Sequence, residues 1–160
     1  MSRVLRAMLA WVLAFGATSA SAGTDELKDV LALPKAPQGV VFEIVSGQNQ
    51  ALSWAVPEVQ RQTAVLRTRF PGLPIAVVSH GSEQFALTMA NRERHGAIHD
   101  SVRNLNADPN MEFHVCGTHA SWRNLEPEDF PDYVNVVAAA PAKINDYRTF
   151  GYRVIVVRKP

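Results

Sequence analysis

The chain has 160 residues and a mass of 17.6 kDa, which favours a single domain. Hydrophobic residues make up 47% and charged residues 19%, a globular balance that excludes a disordered chain, a coiled coil or a collagen-like repeat. Sixteen Lys and Arg against 15 Asp and Glu give a net charge of +1, so no field of one sign exists to hold nucleic acid or an anionic membrane. The single cysteine excludes an internal disulfide framework and a four-cysteine zinc site.

The N-terminal segment has the pattern of a secretory signal peptide over residues 1–22. Arg3 and Arg6 make a basic start, residues 7–18 are almost wholly apolar, and Ala20-Ser21-Ala22 is the small-x-small pattern that signal peptidase reads. The apolar run is shorter than the roughly 20 residues that a membrane-spanning helix needs, although an uncleaved anchor or a buried helix is the alternative interpretation. We therefore expect cleavage after residue 22, export to the periplasm, and no membrane attachment of the mature protein.

The rest of the chain alternates β-branched runs with segments of helical spacing. Residues 23–38 contain Pro34 and Pro37 and predict an extended N-terminal segment, followed by one domain over residues 39–160. Short runs rich in Val, Ile, Phe and Tyr predict strands at 40–45, 75–78, 111–116, 133–137 and 152–157. Apolar spacing of three to four predicts helices at 53–69, from 82 to a break at 96, at 98–105, 117–124 and 139–150. Strands separated by helices predict βαβ units, and hence an α/β domain with a mostly parallel five-stranded sheet and helices on both faces.

Three polar loops follow predicted strands and contain most of the reactive side chains. They are Ser46-Gly47-Gln48-Asn49, Ser79-His80-Gly81-Ser82 and Cys116-Gly117-Thr118-His119. In open parallel sheets, ligands gather at the carboxyl ends of the strands. We therefore expect these three loops to lie at one edge of the sheet.

The segment from His114 to His119 is the strongest candidate for chemistry. Strand alternation places Glu112, His114 and Cys116 on one face of the third strand. Cys116 falls where that strand becomes a loop before a helix, and helix N-termini and nearby cations favour the nucleophilic thiolate. The alternative is that Cys116 is a small buried hydrophobic residue, which is a common fate of free cysteine.

A metal site is a second interpretation of the same residues. His114, Cys116 and His119 are ligands that zinc or copper would accept, with His80 nearby, but their spacing is no specific motif. The glycines form no phosphate or dinucleotide fingerprint, and no serine lies in a nucleophile elbow. We therefore expect no cofactor and no resident metal.

The order of these segments resembles the DsrE/DsrF-like family of small sulfur-relay proteins, in its exported branch. The most specific features are Phe-x-Val-Cys at a strand end and Gly-Tyr near the C-terminus; the matching segments are 40–44, 71–81, 113–118 and 150–155. The resemblance implies a three-layer α/β/α fold and assembly into trimers or hexamers. It also implies that the cysteine at the position of Cys116 carries sulfur as a persulfide.

Together, the residues and the resemblance predict an exported sulfur carrier or sulfurtransferase. Cys116 would accept sulfane sulfur, with His119, His114 and His80 tuning its charge or holding the anion. Its partners would be a protein or a small sulfur species that donates or accepts the sulfur. The alternative is a non-enzymatic, oligomeric binding or accessory protein in which Cys116 is inert or binds a metal.

Overall fold

A five-stranded, wholly parallel sheet forms the centre of the molecule, as the sequence predicts. The computed structural model describes residues 22–159, and the strand order is β4-β3-β2-β1-β5. The strands are β1 (Gly39–Ile44), β2 (Ile75–Ser79), β3 (Met111–Cys116), β4 (Asn135–Val137) and β5 (Tyr152–Val156). The helices are α1 (Ala22–Leu31), α2 (Leu52–Arg69), α3 (Gly96–Asn106), α4 (Gly117–Ser121) and α5 (Ala140–Thr149). Short 3-10 helices span Ser82–Leu87, Met89–Asn91 and Pro127–Asp129.

Helices cover the two faces of the sheet unequally. On one face, buried residues of α1, α2 and α3 pack against the strands around Phe42, Val77 and Phe113. On the other face, α5 alone supplies the buried helical residues, Ala140, Ile144 and Tyr147. Because neighbouring residues of a strand point to opposite faces, β3 sends Phe113 to the larger core and Cys116 to the smaller one. The predicted division of β3 between the two faces is confirmed.

The N-terminal part of the described chain differs from its prediction. Residues 22–31 form α1 rather than an extended lead-in, because Leu27 and Val30 lie on one side of the helix and are buried in the larger core. Pro34 and Pro37 interrupt only the part of the segment that follows the helix. Of the predicted signal peptide, residues 1–22, all but Ala22 lie outside the described part of the chain. Over residues 22–159, no helix is both long and apolar enough to cross a membrane.

Three further elements are shorter than predicted, and one of them is α4, which ends at Ser121 rather than at 124. The helix expected from residue 82 consists of two 3-10 turns, because Thr88 is extended (φ −64°, ψ 147°) and separates them. The last strand before α5 begins at Asn135 rather than at 133. Residues 131–134 form a turn instead, in which the Val134 N–H donates to the Pro131 carbonyl. The strands β1, β2, β3 and β5 begin and end within two residues of their predicted bounds.

Candidate functional site

The carboxyl ends of β1, β2 and β3 lie side by side, as predicted for the three polar loops. Ile44 pairs with Ser79 and Ser79 with Val115, so His80 and Cys116 come one position beyond paired residues of adjacent strands. Strand alternation puts both on the face that α5 covers. The loops from 46, 79 and 116 therefore form one edge of the molecule.

The thiol of Cys116 lies beneath the start of α5. Its Sγ accepts a hydrogen bond from the backbone N–H of Ala140, the first residue of that helix, at 3.5 Å. Only 5% of Cys116 is exposed, and it belongs to the smaller buried cluster, which also contains Val41, Ala76 and Val78. The sulfur therefore has a hydrogen-bond donor at the N-terminus of a helix, in a position that is largely shielded from water.

A buried glutamine fixes the backbone of Cys116. The side-chain oxygen of Gln84 accepts the Cys116 N–H at 2.8 Å, and its amide nitrogen donates to the Cys116 carbonyl at 3.3 Å. Gln84 is fully buried in the 3-10 helix that follows β2. One side chain thus satisfies both backbone groups at the point where β3 ends.

The neighbouring residue, Glu83, joins the ends of β1 and β2. Its buried carboxylate accepts hydrogen bonds from the Ser46 N–H at 2.7 Å, the Ser79 hydroxyl at 2.8 Å and the Gly81 N–H at 2.9 Å. Three donors compensate the cost of burying this carboxyl group. Glu83 and Gln84 together hold all three strand ends in one arrangement.

His80 is paired with a carboxylate on the neighbouring strand. Its Nε2 lies 2.9 Å from Oε1 of Glu43, and about a fifth of each side chain is exposed. The hydrogen bond from His80 holds the pKa of the Glu43 carboxyl below its usual value against the opposing effect of burial. An ionised carboxylate only accepts, so Nε2 carries the hydrogen of this bond.

His114 is buried two residues before Cys116 on the same face. Its Nε2 donates to the Tyr147 hydroxyl at 2.8 Å, and that hydroxyl donates to Glu112 at 3.2 Å. Burial lowers the pKa of His114 to about 4, with a smaller contribution from the charge of Lys143, while Glu112 acts in the opposite direction. Burial also raises the pKa of the Tyr147 phenol. His114 is therefore neutral at physiological pH, and its Nδ1 has no hydrogen-bond partner among residues 22–159.

His119, in α4, contacts the loop that follows β2. Its Nδ1 donates to the backbone carbonyl of His80 at 2.9 Å. Its ring lies edge-on to Phe85 and Trp122, with centroids 4.9 and 5.2 Å away. The ring thus braces the loop after β2, and no hydrogen bond joins it to Cys116 in the described chain.

The alternative metal site is not assembled. Within residues 22–159, no three His, Cys, Asp or Glu side chains converge as a metal site would require. His114 is bonded to Tyr147 below α5, whereas His119 is held by the His80 carbonyl and two aromatic rings. The arrangement of residues 22–159 therefore gives the metal-ligating interpretation of His114, Cys116 and His119 no support.

Sequence reasoning missed Glu43, Glu83 and Gln84. Glu43 had a usable signal, because alternation from Val41 places it on the same face as Cys116 in an otherwise apolar strand. Glu83 and Gln84 gave no local signal, since their partners lie up to 37 residues away along the chain.

Comparison with known proteins supports the fold. No family model and no curated protein matches the chain. A solved structure from Methanobacterium thermoautotrophicum, the protein of unknown function MTH1491, is similar with a TM-score of 0.59 and 20% sequence identity. The match covers 73% of this chain and 96% of that one. At this identity the likeness shows the shared α/β fold and nothing of the chemistry.

Proposed function

We propose that the protein is an exported sulfur carrier of the DsrE/DsrF-like type, with Cys116 as the sulfur acceptor. The observation that carries the proposal is the hydrogen bond from the Ala140 N–H to Sγ at the start of α5. The Cys116 thiolate is an anion at Sγ. The persulfide that forms from it is an anion at the added, outer sulfur. The same helix N-terminus stabilises both.

The transfer step needs only a donor that contains sulfane sulfur, such as a polysulfide or thiosulfate. The Cys116 thiolate attacks the outer sulfur, and a new S–S bond forms at Sγ. The donor's own S–S bond breaks, and its electron pair leaves with the remaining sulfur species, which is sulfite when the donor is thiosulfate. The product is a persulfide anion on Cys116, and no external oxidant or reductant is consumed.

Mass spectrometry of the intact mature protein after exposure to polysulfide tests this function. We expect wild type to gain the mass of one sulfur atom and to lose it on treatment with a thiol reductant. Cys116→Ser should gain nothing, and it is a decisive control because the chain has a single cysteine. A wild-type chain that stays unmodified would contradict the proposal.

A second candidate function follows from the burial of Cys116. Cys116 is 5% exposed and belongs to a buried apolar cluster, so the thiol has the burial of a structural residue. In that case the protein is a non-enzymatic binding or accessory protein. An inert thiol would label with iodoacetamide only after unfolding, whereas a carrier thiol would label in the native protein.

The proposal also includes location and assembly. The signal-peptide pattern of residues 1–22 supports export to the periplasm, and N-terminal sequencing of exported material would begin at Gly23. The resemblance to the DsrE/DsrF-like family supports a homo-oligomer, either a trimer or a hexamer, that receives sulfur from a protein or a small sulfur species.

A further inference from the structure

Glu43, His80 and Cys116 lie in that order across three adjacent strands on one face of the sheet. Glu43 is in β1, His80 follows β2, and Cys116 ends β3. The Nε2 of His80 is 2.9 Å from Glu43, which turns the ring toward β1 and leaves Nδ1 as its second polar atom. Within the described chain, Nδ1 of His80 makes no hydrogen bond.

We propose that Glu43 and His80 form a proton relay for Cys116, in which His80 takes the thiol proton and Glu43 is the positioning residue. This inference rests on the proposed role of Cys116 as the sulfur acceptor. A nucleophile, a base and a group that orients the base is the arrangement that activates weak nucleophiles in unrelated folds.

The proton step balances within these three residues. The S–H bond of Cys116 breaks, its electron pair stays on Sγ, and the proton passes through one water to Nδ1 of His80, because no direct hydrogen bond joins the two side chains in the described chain. Nε2 keeps its hydrogen on Glu43, so the ring becomes an imidazolium beside a carboxylate. The Ala140 N–H already donates to Sγ and stays as the partner of the new thiolate. Each charge produced by the transfer therefore has a partner already in place.

The surroundings of the pair suit this role. Both side chains are about one-fifth exposed, so water reaches them. Arg148 of α5 and Arg158 after β5 also act on the charge of Glu43. The His119 side chain of α4 bonds to the backbone oxygen of His80 and not to its ring.

The test is the pH profile of iodoacetamide labelling, which reports Cys116 alone because the chain has one cysteine. Rates are measured on the mature protein from about pH 5 to about pH 9 for wild type, Glu43→Gln, His80→Asn and Glu112→Gln. Glu43→Gln keeps the shape of the side chain and removes its charge. Glu112→Gln is the matched control, since it removes a carboxylate from the same sheet face without touching His80.

We expect Glu43→Gln to move the midpoint of the profile up by about one pH unit and to slow labelling near pH 6 about tenfold. His80→Asn should shift it at least as far, and Glu112→Gln should stay within about twofold of wild type. The relay is overturned if Glu43→Gln matches Glu112→Gln, or if His80→Asn keeps the wild-type profile. Should Glu43→Gln fail to fold, His80→Asn decides the question alone, because it removes the base and leaves Glu43.

A parallel measurement separates this inference from the proposed function. Each variant is exposed to polysulfide, and the sulfur gained is measured by mass. If wild type shows the Glu43-dependent profile but gains no sulfur, the relay stands and the carrier function fails. If wild type gains sulfur while all variants share one profile, the carrier function stands and the relay fails.

Discussion

At the scale of single residues, the face of the sheet below α5 combines an apolar cluster with titratable groups. His114 is 3% exposed, and its ring reaches Tyr147 and Glu112 through one nitrogen only. Burial penalises the charged form of the imidazole more than the nearby carboxylate favours it. The neutral ring is therefore part of the folded state, and protonation works against folding.

This gives a prediction for the pH dependence of stability. The folded protein binds a proton on His114 at about pH 4, whereas the unfolded chain binds it near pH 6.5. The unfolded state thus holds more protons between these values, and the free energy of unfolding falls as the pH drops through this window. Above pH 6.5 the contribution is complete, and its full size is about 3 kcal/mol.

Urea unfolding of wild type and His114→Gln between about pH 7 and pH 5 measures this effect. Wild type should lose stability across the range, and the variant should lose clearly less. Burial lowers the pKa of His99 too, so a smaller slope should remain in the variant. The lowered pKa of Glu43 also contributes to stability, but that contribution is lost only below the usual pKa of a glutamate, which lies outside the pH range of this experiment. Equal slopes in the two proteins would contradict the prediction.

At the scale of elements, the 3-10 helix at Ser82–Leu87 fixes the geometry of the candidate site. Its residues Glu83 and Gln84 bond to the ends of β1, β2 and β3 through side chains that are fully buried. The regular helix predicted from residue 82 does not form, and the 3-10 turn places these two side chains at the strand ends instead. The shape of the site therefore depends on a short, irregular element.

We predict that Gln84→Leu destabilises the protein by about 2–5 kcal/mol, because it leaves the buried N–H and C=O of Cys116 without partners. Gln62→Leu is the matched control. Gln62 is also buried, but its side-chain oxygen has no partner among the described residues and its nitrogen bonds only to Glu58. That change should cost less than about 1 kcal/mol. Thermal or urea unfolding compares them, and similar losses would show that the contact of Gln84 with Cys116 is unimportant.

The elements also show which features a sequence pattern can predict. The burial of β2 on both faces and the division of β3 follow from apolar runs and from alternation, which are local properties. The sequence pattern does not predict α1, because Pro34 and Pro37 indicate an extended segment. Only Leu27 and Val30 of this helix are buried, and two apolar residues are too few to give a helical pattern. The partners of Gln84 and His80 depend on how neighbouring strands are aligned, and this register cannot be predicted from the sequence of any one segment.

At the scale of the whole molecule, the two edges of the sheet differ. On β5, the side chain of Glu26 from α1 accepts the outward-facing N–H of Val156 at 2.8 Å. On β4, Asn135 is exposed and Val136 and Val137 are half-buried, beside an apolar groove of about 230 Å³. Open strand edges are sites at which another chain can pair, and proteins usually cover them. The β4 edge is therefore the better candidate for contact between subunits of the proposed oligomer.

We predict that the mature protein assembles through the β4 edge and that Val137→Lys disrupts the assembly. Val137 is in register with Cys116, so a neighbour that pairs with β4 would lie one strand away from the sulfur acceptor. A lysine there would place an unpaired charge in the contact, which is costly when it is desolvated. Val65→Lys is the control, since Val65 is an exposed apolar residue of α2, away from both edges.

Light scattering should give several chain masses for wild type and Val65→Lys but one chain mass for Val137→Lys. A monomeric wild type at micromolar concentration would rule out the assembly, and an intact Val137→Lys oligomer would place the contact elsewhere.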